Sequence, residues 1–130
     1  MFGKYPILGV GTDNLQHAVI ENLTDEGMKV IERFHGIPDK AHNEYLQIAA
    51  TLGIPALILY MTFLCMIILP KLKDLFKNNY IFLMLCIIGS YLVQAFFNIS
   101  TIGIAPLFWF ALGIIDNEEI NKEISEQRSK

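Results

Sequence analysis

Three long blocks of apolar residues constrain the fold of this chain more than any other feature. They cover residues 54–69, 80–97 and 99–115, and none of them contains a lysine, arginine, aspartate or glutamate. A bilayer core of ~30 Å is crossed by a helix of about 20 apolar residues, so blocks of this length are typical of membrane-crossing helices. The charged fraction of the 130-residue chain is 18%, below the roughly one quarter usual for soluble domains. The sequence therefore predicts an all-α, polytopic membrane protein.

Each apolar block predicts one transmembrane helix. The first is expected over residues 44–69, because the residues before Ile54 also favour a helix. Pro55 would kink or restart that helix near the membrane surface. The other two are expected over residues 80–97 and 99–115, and Pro106 interrupts the third block early, so a re-entrant segment is an alternative there.

Basic residues near the helix ends predict the orientation. The loop after the first block contains three lysines, Lys71, Lys73 and Lys77, and the tail over residues 116–130 contains three more basic residues, Lys122, Arg128 and Lys130. The positive-inside rule then predicts that this loop and the tail are cytoplasmic. Residues 1–43 are predicted to form an extracytoplasmic segment, which precedes a transmembrane region over residues 44–115.

The extracytoplasmic segment is predicted to contain one or two amphipathic helices. Residues 14–34 have apolar positions at approximately helical spacing, with a break expected at Gly27. Thr12 or Asp13 is placed to cap the first helix. An outward segment of this length more often lies between two helices of a longer protein. The chain is therefore expected to be the C-terminal part of a larger helical bundle.

The run His42-Asn43-Glu44 carries the strongest candidate chemistry, because it lies where the outward loop becomes a helix. A helix N-terminus presents unpaired N–H groups that attract anions. A histidine there can donate to a phosphate oxygen or accept a proton near neutral pH. Asn43 can cap the helix or bind a sugar, and Tyr45 fits an anchor at the membrane interface. The alternative is that His42 and Asn43 are surface loop residues with a capping role.

Several other kinds of site are less well supported by the sequence. Gly9 and Gly11 form either a backbone nest or a simple turn, since this spacing lacks the frame of a nucleotide site. No basic patch alternates with aromatic residues, so a nucleic-acid partner is not expected. No histidine has partners at metal-ligand spacing, so no metal site is expected. Cys65 and Cys86 lie inside apolar blocks and are predicted to be packing residues rather than a disulfide.

Two stretches of the chain resemble a known family. The run PILGVG at residues 6–11 and the run AHNEYLQIAATLGIPALILY at residues 41–60 are similar to the C-terminal part of the O-antigen ligase superfamily. Residues 96–114 are also similar to the closing helix of that family. The resemblance implies an enzyme of the bacterial cytoplasmic (inner) membrane that transfers an undecaprenyl-diphosphate-linked glycan to an acceptor sugar or protein at the outer face.

The resemblance also assigns roles to individual residues. His42 matches the essential histidine of the family, which would assist deprotonation of the acceptor or hold the diphosphate. Gly9 and Gly11 match the glycine turn, and with Asn43 and Tyr45 they are the candidate substrate-binding residues. The resemblance implies no cofactor, because the diphosphate is already an activated leaving group.

Part of the family pattern has no counterpart here. The essential arginines of the family lie upstream of the glycine turn, and Arg33 does not match them. The active site is therefore expected to need the N-terminal membrane helices of a parent protein, besides the lipid bilayer and the two substrates. Two alternatives stay open: a polysaccharide polymerase of the same superfamily, and a small non-enzymatic membrane protein or truncated relic.

Overall fold

The computed structural model describes residues 4–34, 40–76, 78–100, 103–117 and 122. Within these residues the chain forms six α-helices and no β-strand, which confirms the predicted all-α class. The helices are α1 (Leu15–Glu21), α2 (Asp25–Phe34), α3 (Glu44–Thr51), α4 (Ile54–Leu72), α5 (Asn79–Phe97) and α6 (Ala105–Asp116). Most of the predicted cytoplasmic tail over residues 116–130 lies outside the described residues.

The chain divides into two compact units. The first contains Met1–Met61 together with Ala95–Ile99, and the second contains Thr62–Gln94 together with Ser100–Lys130. The division passes through α4 and through α5. The first unit includes the start of α3 and the last residues of α5, so the candidate site residues all belong to it.

The two longest helices, α4 and α5, are mostly apolar, and the charged Lys71 lies in the last turn of α4. α4 and α5 have 19 residues each, with mean hydropathies of 1.9 and 2.0 over their most apolar windows. By length and composition, both could cross a membrane. Only 6% of that window in α4 is buried, compared with 28% in α5. Helices that expose this much apolar surface are typical of membrane spans, because lipid can cover what the protein itself does not.

The predicted third span is shorter than expected. The structure begins α6 at Ala105 rather than at residue 99, and the helix has 12 residues. At 1.5 Å per residue it is about 18 Å long, well below the ~30 Å of a bilayer core. Pro106 lies in its first turn, where a proline is tolerated because its missing N–H would have no partner. α6 by itself is too short to cross the bilayer, so the third transmembrane helix stays a prediction.

The core of the second unit is built where α5 and α6 pack together. The rings of Tyr91 and Phe108 are stacked with their centroids 4.0 Å apart. The Tyr91 hydroxyl donates a hydrogen bond of 2.8 Å to the Ser100 hydroxyl. Ile88 and Ile115 are fully buried in the same unit. Burial of these side chains supplies the apolar contact that holds the shorter α6 against α5.

The predicted helix over residues 44–69 is two helices. α3 ends at Thr51 and α4 begins at Ile54, with Gly53 between them in the left-handed region at φ +91°. Pro55 lies in the first turn of α4, as the predicted restart requires. α4 ends at Leu72, three residues after the expected end at about residue 69, with Pro70 inside its last turns.

The chain before α1 packs against the corner between α3 and α4. We call residues 5–11 the strap. The Val10 N–H donates to the Ala50 carbonyl and the Gly11 N–H donates to the Thr51 carbonyl, each at 2.9 Å. The last carbonyl groups of a helix have no partner within the helix. The strap therefore satisfies the C-terminal end of α3 and holds it in place.

Gly53 allows the strap to approach this closely. A Cβ atom at Gly53 would lie within 2.0 Å of the Ile7 carbonyl oxygen, and the Ile54 N–H donates to the Pro6 carbonyl at 2.9 Å. The strap thus also contacts the N-terminus of α4. Only glycine combines the positive φ of this corner with so close a backbone contact.

The two amphipathic helices differ in detail from the prediction. The break between α1 and α2 covers residues 22–24 and does not lie at Gly27. The Gly27 N–H is in the first turn of α2 and donates to the Thr24 hydroxyl at 3.2 Å. The predicted cap at Thr12 or Asp13 is also wrong. Asn14 is the residue that precedes α1, and Asp13 has a φ of +61°. The Thr24 hydroxyl accepts the hydrogen bond from the Gly27 N–H, as the side chain of a helix N-cap does, and α2 therefore begins directly after Thr24.

Candidate active site

His42 lies immediately before the residue that caps α3. Its backbone is in the left-handed region at φ +49°, and its side chain is exposed. Histidine adopts this conformation more readily than branched residues do, although less readily than asparagine or glycine. The imidazole makes no hydrogen bond to another described residue. It is therefore available to a substrate.

Asn43 uses both ends of its side chain within the protein. Its Oδ1 accepts a 2.9 Å hydrogen bond from the Leu46 N–H, which is the geometry of a helix N-cap. Its Nδ2 donates a 2.7 Å hydrogen bond to the carbonyl of Phe96, the penultimate residue of α5. The cap anticipated by the alternative interpretation is thus present. The bond to Phe96 gives Asn43 a second structural role.

A backbone hydrogen bond reinforces this connection. The Glu44 N–H donates to the Asn98 carbonyl at 3.1 Å. We call the pair of hydrogen bonds Asn43–Phe96 and Glu44–Asn98 the clasp. Both acceptors lie at the C-terminal end of α5, Phe96 in its last turn and Asn98 just after it, where carbonyl groups lack intrahelical partners. The clasp fixes the start of α3, and with it His42, beside the C-terminal end of α5.

Three amides in the first turn of α3 are already engaged within the protein. The Glu44 N–H is in the clasp, the Leu46 N–H is donated to Asn43, and the Gln47 N–H donates to the Asn43 carbonyl at 2.8 Å. The Gln47 side chain in turn accepts from the Ala41 N–H at 2.8 Å. A phosphate could bind these amides only by displacing protein acceptors. The expectation that they support a diphosphate is therefore not favoured by the geometry.

Tyr45 belongs to an aromatic cluster next to the clasp. Its ring centroid lies 6.5 Å from that of Tyr60 and 6.5 Å from that of Phe96. The Tyr60 hydroxyl donates to the Glu44 carboxylate at 3.5 Å. Burial, and to a smaller extent the Glu44 charge, raises the pKa of the Tyr45 phenol above its ordinary value. The phenol therefore stays protonated at neutral pH and can donate a hydrogen bond.

Gly9 and Gly11 serve the strap. Their φ angles are +64° and +90°, and a Cβ at Gly9 would lie within 2.4 Å of the Thr51 backbone. The Gly9 N–H donates to the Tyr5 carbonyl at 3.2 Å, and the Gly11 N–H donates to Thr51. Both amides are thus engaged within the chain, as expected of a turn rather than of an open nest. Sequence reasoning missed Gly53, the third glycine of this contact.

The described residues contain no group of three or more histidine, cysteine or acidic side chains that could hold a metal ion. Cys65 and Cys86 are free thiols exposed on α4 and α5.

Comparison with known families identifies the first part of the chain. Residues 1–61 match the family model described as O-Antigen ligase. The first part of the chain is therefore similar to the O-antigen ligase family. The match contains the strap, α1 to α3 and His42, and it ends inside α4. No curated protein and no solved structure matches the chain.

The family match and the helices lead to the same coarse conclusion. The O-antigen ligase family consists of ligases and polymerases with glycosyltransferase-like activity that work on lipid-linked glycans in a membrane. The described residues also include two helices that are long and apolar enough to cross a bilayer. Together these findings indicate a membrane protein whose first part is similar to this superfamily.

Proposed function

We propose that this chain forms part of a membrane glycan transferase in which His42 is the general base. The enzyme moves a glycan from undecaprenyl diphosphate to an acceptor sugar or protein. The reaction takes place at the outer face of the bacterial cytoplasmic membrane, with residues 1–43 outside and the C-terminus inside.

The clasp is the observation that carries this proposal. It holds the start of α3 against carbonyl groups at the C-terminal end of α5, a helix of membrane-spanning length and composition. The end of such a helix lies near the polar surface of the bilayer. The diphosphate of a polyprenyl-linked glycan lies at the same depth, because its lipid tail stays in the hydrocarbon. A base that meets this substrate must be held at that level.

The chemistry requires one proton acceptor. The His42 imidazole takes the proton of the acceptor hydroxyl while that oxygen forms a bond to the anomeric carbon of the donor glycan. The bond from this carbon to the diphosphate oxygen breaks, and undecaprenyl diphosphate leaves with the electron pair. The exposed imidazolium then releases its proton to water.

The surroundings of His42 favour its role as a general base over a role in binding the diphosphate. The amides of Glu44, Leu46 and Gln47 are donated within the chain. Glu44, two residues after His42, brings a carboxylate that would disfavour a bound diphosphate. Countercharges for the diphosphate then come from outside this chain, as the family resemblance implies for the arginines upstream of the glycine turn.

Two substitutions at His42 test the proposal without straining the backbone. Asparagine and glycine both tolerate the φ of +49°, whereas alanine would add about 1–2 kcal/mol of strain. With the protein expressed from its intact gene, we expect His42→Asn and His42→Gly to lower glycan transfer in isolated membranes by about 100-fold or more. Lys40→Asn, at an exposed residue of the same loop, is the matched control and should retain transfer.

The amount of protein in the membrane is measured in parallel, so that loss of transfer is separated from loss of insertion. Retention of transfer by the correctly inserted His42→Asn protein would remove His42 from the mechanism. The product also distinguishes the two members of the superfamily, because a ligase attaches one chain to the acceptor and a polymerase produces a ladder of lengths.

A further inference from the structure

A second potential binding site lies on α1, away from His42. The strap and α1 enclose an open cavity of about 340 Å³. Tyr5 and Val10 line it from the strap, and Asn14, His17 and Glu21 line it from the cap and helix of α1. These three residues follow a spacing of three and four positions, so they lie on one face of the helix. That face points its polar groups at the cavity.

The polar side chains of the cavity are uncommitted. The Tyr5 hydroxyl, the Asn14 amide, the His17 imidazole and the Glu21 carboxylate make no side-chain hydrogen bond to another described residue. The neighbouring Asn22, by contrast, is engaged by Lys4 at 3.1 Å and by the Ala18 carbonyl at 2.7 Å. The cavity therefore offers several donors and acceptors to a ligand at no cost in internal hydrogen bonds.

The composition of the cavity selects a class of ligand. An amide and a carboxylate can each bond to neighbouring hydroxyl groups, and an aromatic ring such as Tyr5 can pack on the apolar face of a sugar. No lysine or arginine is among the residues that line the cavity. Glu21 would repel a phosphate or a uronic acid. The cavity thus suits a neutral sugar and not the diphosphate.

The cavity and His42 are connected through opposite ends of α3. The strap binds the C-terminal end of α3 through Val10 and Gly11. His42 precedes the opposite end of that helix. α3 has 8 residues and is therefore about 12 Å long. A sugar in the cavity would lie at a distance from the bond that reacts.

We infer that the cavity between the strap and α1 is a subsite for a neutral sugar unit, remote from the reacting bond, of the donor or acceptor glycan. This inference rests on the proposed transfer of a glycan, since that reaction brings a long sugar chain to His42. With this subsite, the enzyme would recognise the sugar chain of its substrate as well as the lipid diphosphate.

Saturation-transfer NMR on the protein in detergent micelles tests the subsite. The probes are two neutral trisaccharides, maltotriose and N-acetylchitotriose, and the acidic trigalacturonic acid. We expect a neutral probe to bind, and Asn14→Ala and Glu21→Gln each to weaken that binding on the order of fivefold to tenfold. Glu32→Gln makes the same change of charge on the exposed face of α2, outside the cavity, and should change nothing.

The acidic probe separates a binding role of Glu21 from a structural one. Glu21→Gln removes the repulsion, so it should strengthen the binding of trigalacturonic acid while it weakens that of the neutral probe. Damage to the fold would weaken both. Failure of both neutral probes to bind, or binding that neither cavity variant affects, would overturn the subsite.

Transfer assays distinguish the source of the sugar and the two proposals. Glu21→Gln should raise KM for the donor if the cavity holds the donor glycan, and for the acceptor if it holds the acceptor. His42→Asn should abolish transfer and leave probe binding intact. If His42→Asn retained transfer while Glu21→Gln still weakened probe binding, the proposed base would fail and the sugar subsite would stand.

Discussion

Replacement of Asn43 by aspartate separates the two bonds of its side chain. Aspartate keeps an oxygen that can accept from the Leu46 N–H, and it is as good an N-cap as asparagine. It loses the amide that donates to the Phe96 carbonyl at 2.7 Å, and it brings an oxygen towards an oxygen there. Asn43→Asp therefore breaks half of the clasp and spares the helix cap.

The magnitude follows from the bonds that are lost. The hydrogen bond to Phe96 is neutral and partly exposed to solvent, so its loss should cost about 1 kcal/mol. Asn43→Ala also loses the cap, worth about another 1 kcal/mol, for a total of about 2 kcal/mol. These energies act on local opening of the start of α3, because the strap still holds the other end of the helix.

Amide hydrogen exchange measures the two effects separately. The Glu44 N–H reports the clasp, since it donates to Asn98, and the Leu46 N–H reports the cap. In Asn43→Asp we expect exchange at Glu44 to be about five- to tenfold faster, with Leu46 little changed. In Asn43→Ala both should exchange faster. Transfer should fall in Asn43→Asp as well, because His42 is then less firmly positioned.

One outcome would refute this reasoning in favour of direct substrate contact. If Asn43→Asp left exchange at Glu44 unchanged and still raised KM for the donor, Asn43 would bind the sugar itself, as the sequence alone allows. If neither exchange nor transfer changed, the bond to Phe96 would have no part in holding His42.

Two further predictions concern the strap and the orientation. Gly53→Ala should lower the thermal stability of the protein in micelles, since left-handed strain of about 1–2 kcal/mol adds to a clash with the strap backbone. Gly89→Ala, at an open helical position, should leave stability unchanged or raise it by up to about 1 kcal/mol, and equal effects at both glycines would contradict the close contact. A cysteine in place of His42, in a protein without Cys65 and Cys86, should react with a membrane-impermeant maleimide added outside intact cells. Reaction only from the cytoplasmic side would exclude transfer at the outer face.

The apolar helices could be predicted well because their signal is local. Residues 80–97 were expected to be helical, and α5 spans Asn79–Phe97. A restart near Pro55 was expected, but the left-handed corner at Gly53 was not, because it depends on the strap more than forty positions earlier in the sequence. The late start of α6 agrees with the interruption that Pro106 predicts, since this proline lies in the first turn of the helix.

Part of the candidate site could also be predicted, because that part depends on residues that are neighbours in the sequence. The run around His42 and its capping asparagine are local features of sequence. The clasp is not, because its acceptors are backbone carbonyls 53 and 54 positions later, and a carbonyl group is present at every residue. The glycines of the strap indicated a turn, but no pattern indicated which part of the chain would lie against it.

The clasp and the strap hold α3 in place independently of α1, so the first unit can separate catalysis from sugar binding. The clasp holds the N-terminal end of α3 and the strap holds its C-terminal end, so the position of His42 depends little on α1. α1 joins this frame mainly through the strap, which leaves its polar face open. Chemistry and recognition of the sugar chain can then vary independently, because residues at an exposed helix face can change without moving a base held from both sides. Substitutions on α1 should therefore alter which glycan is bound, more than how fast a bound glycan reacts.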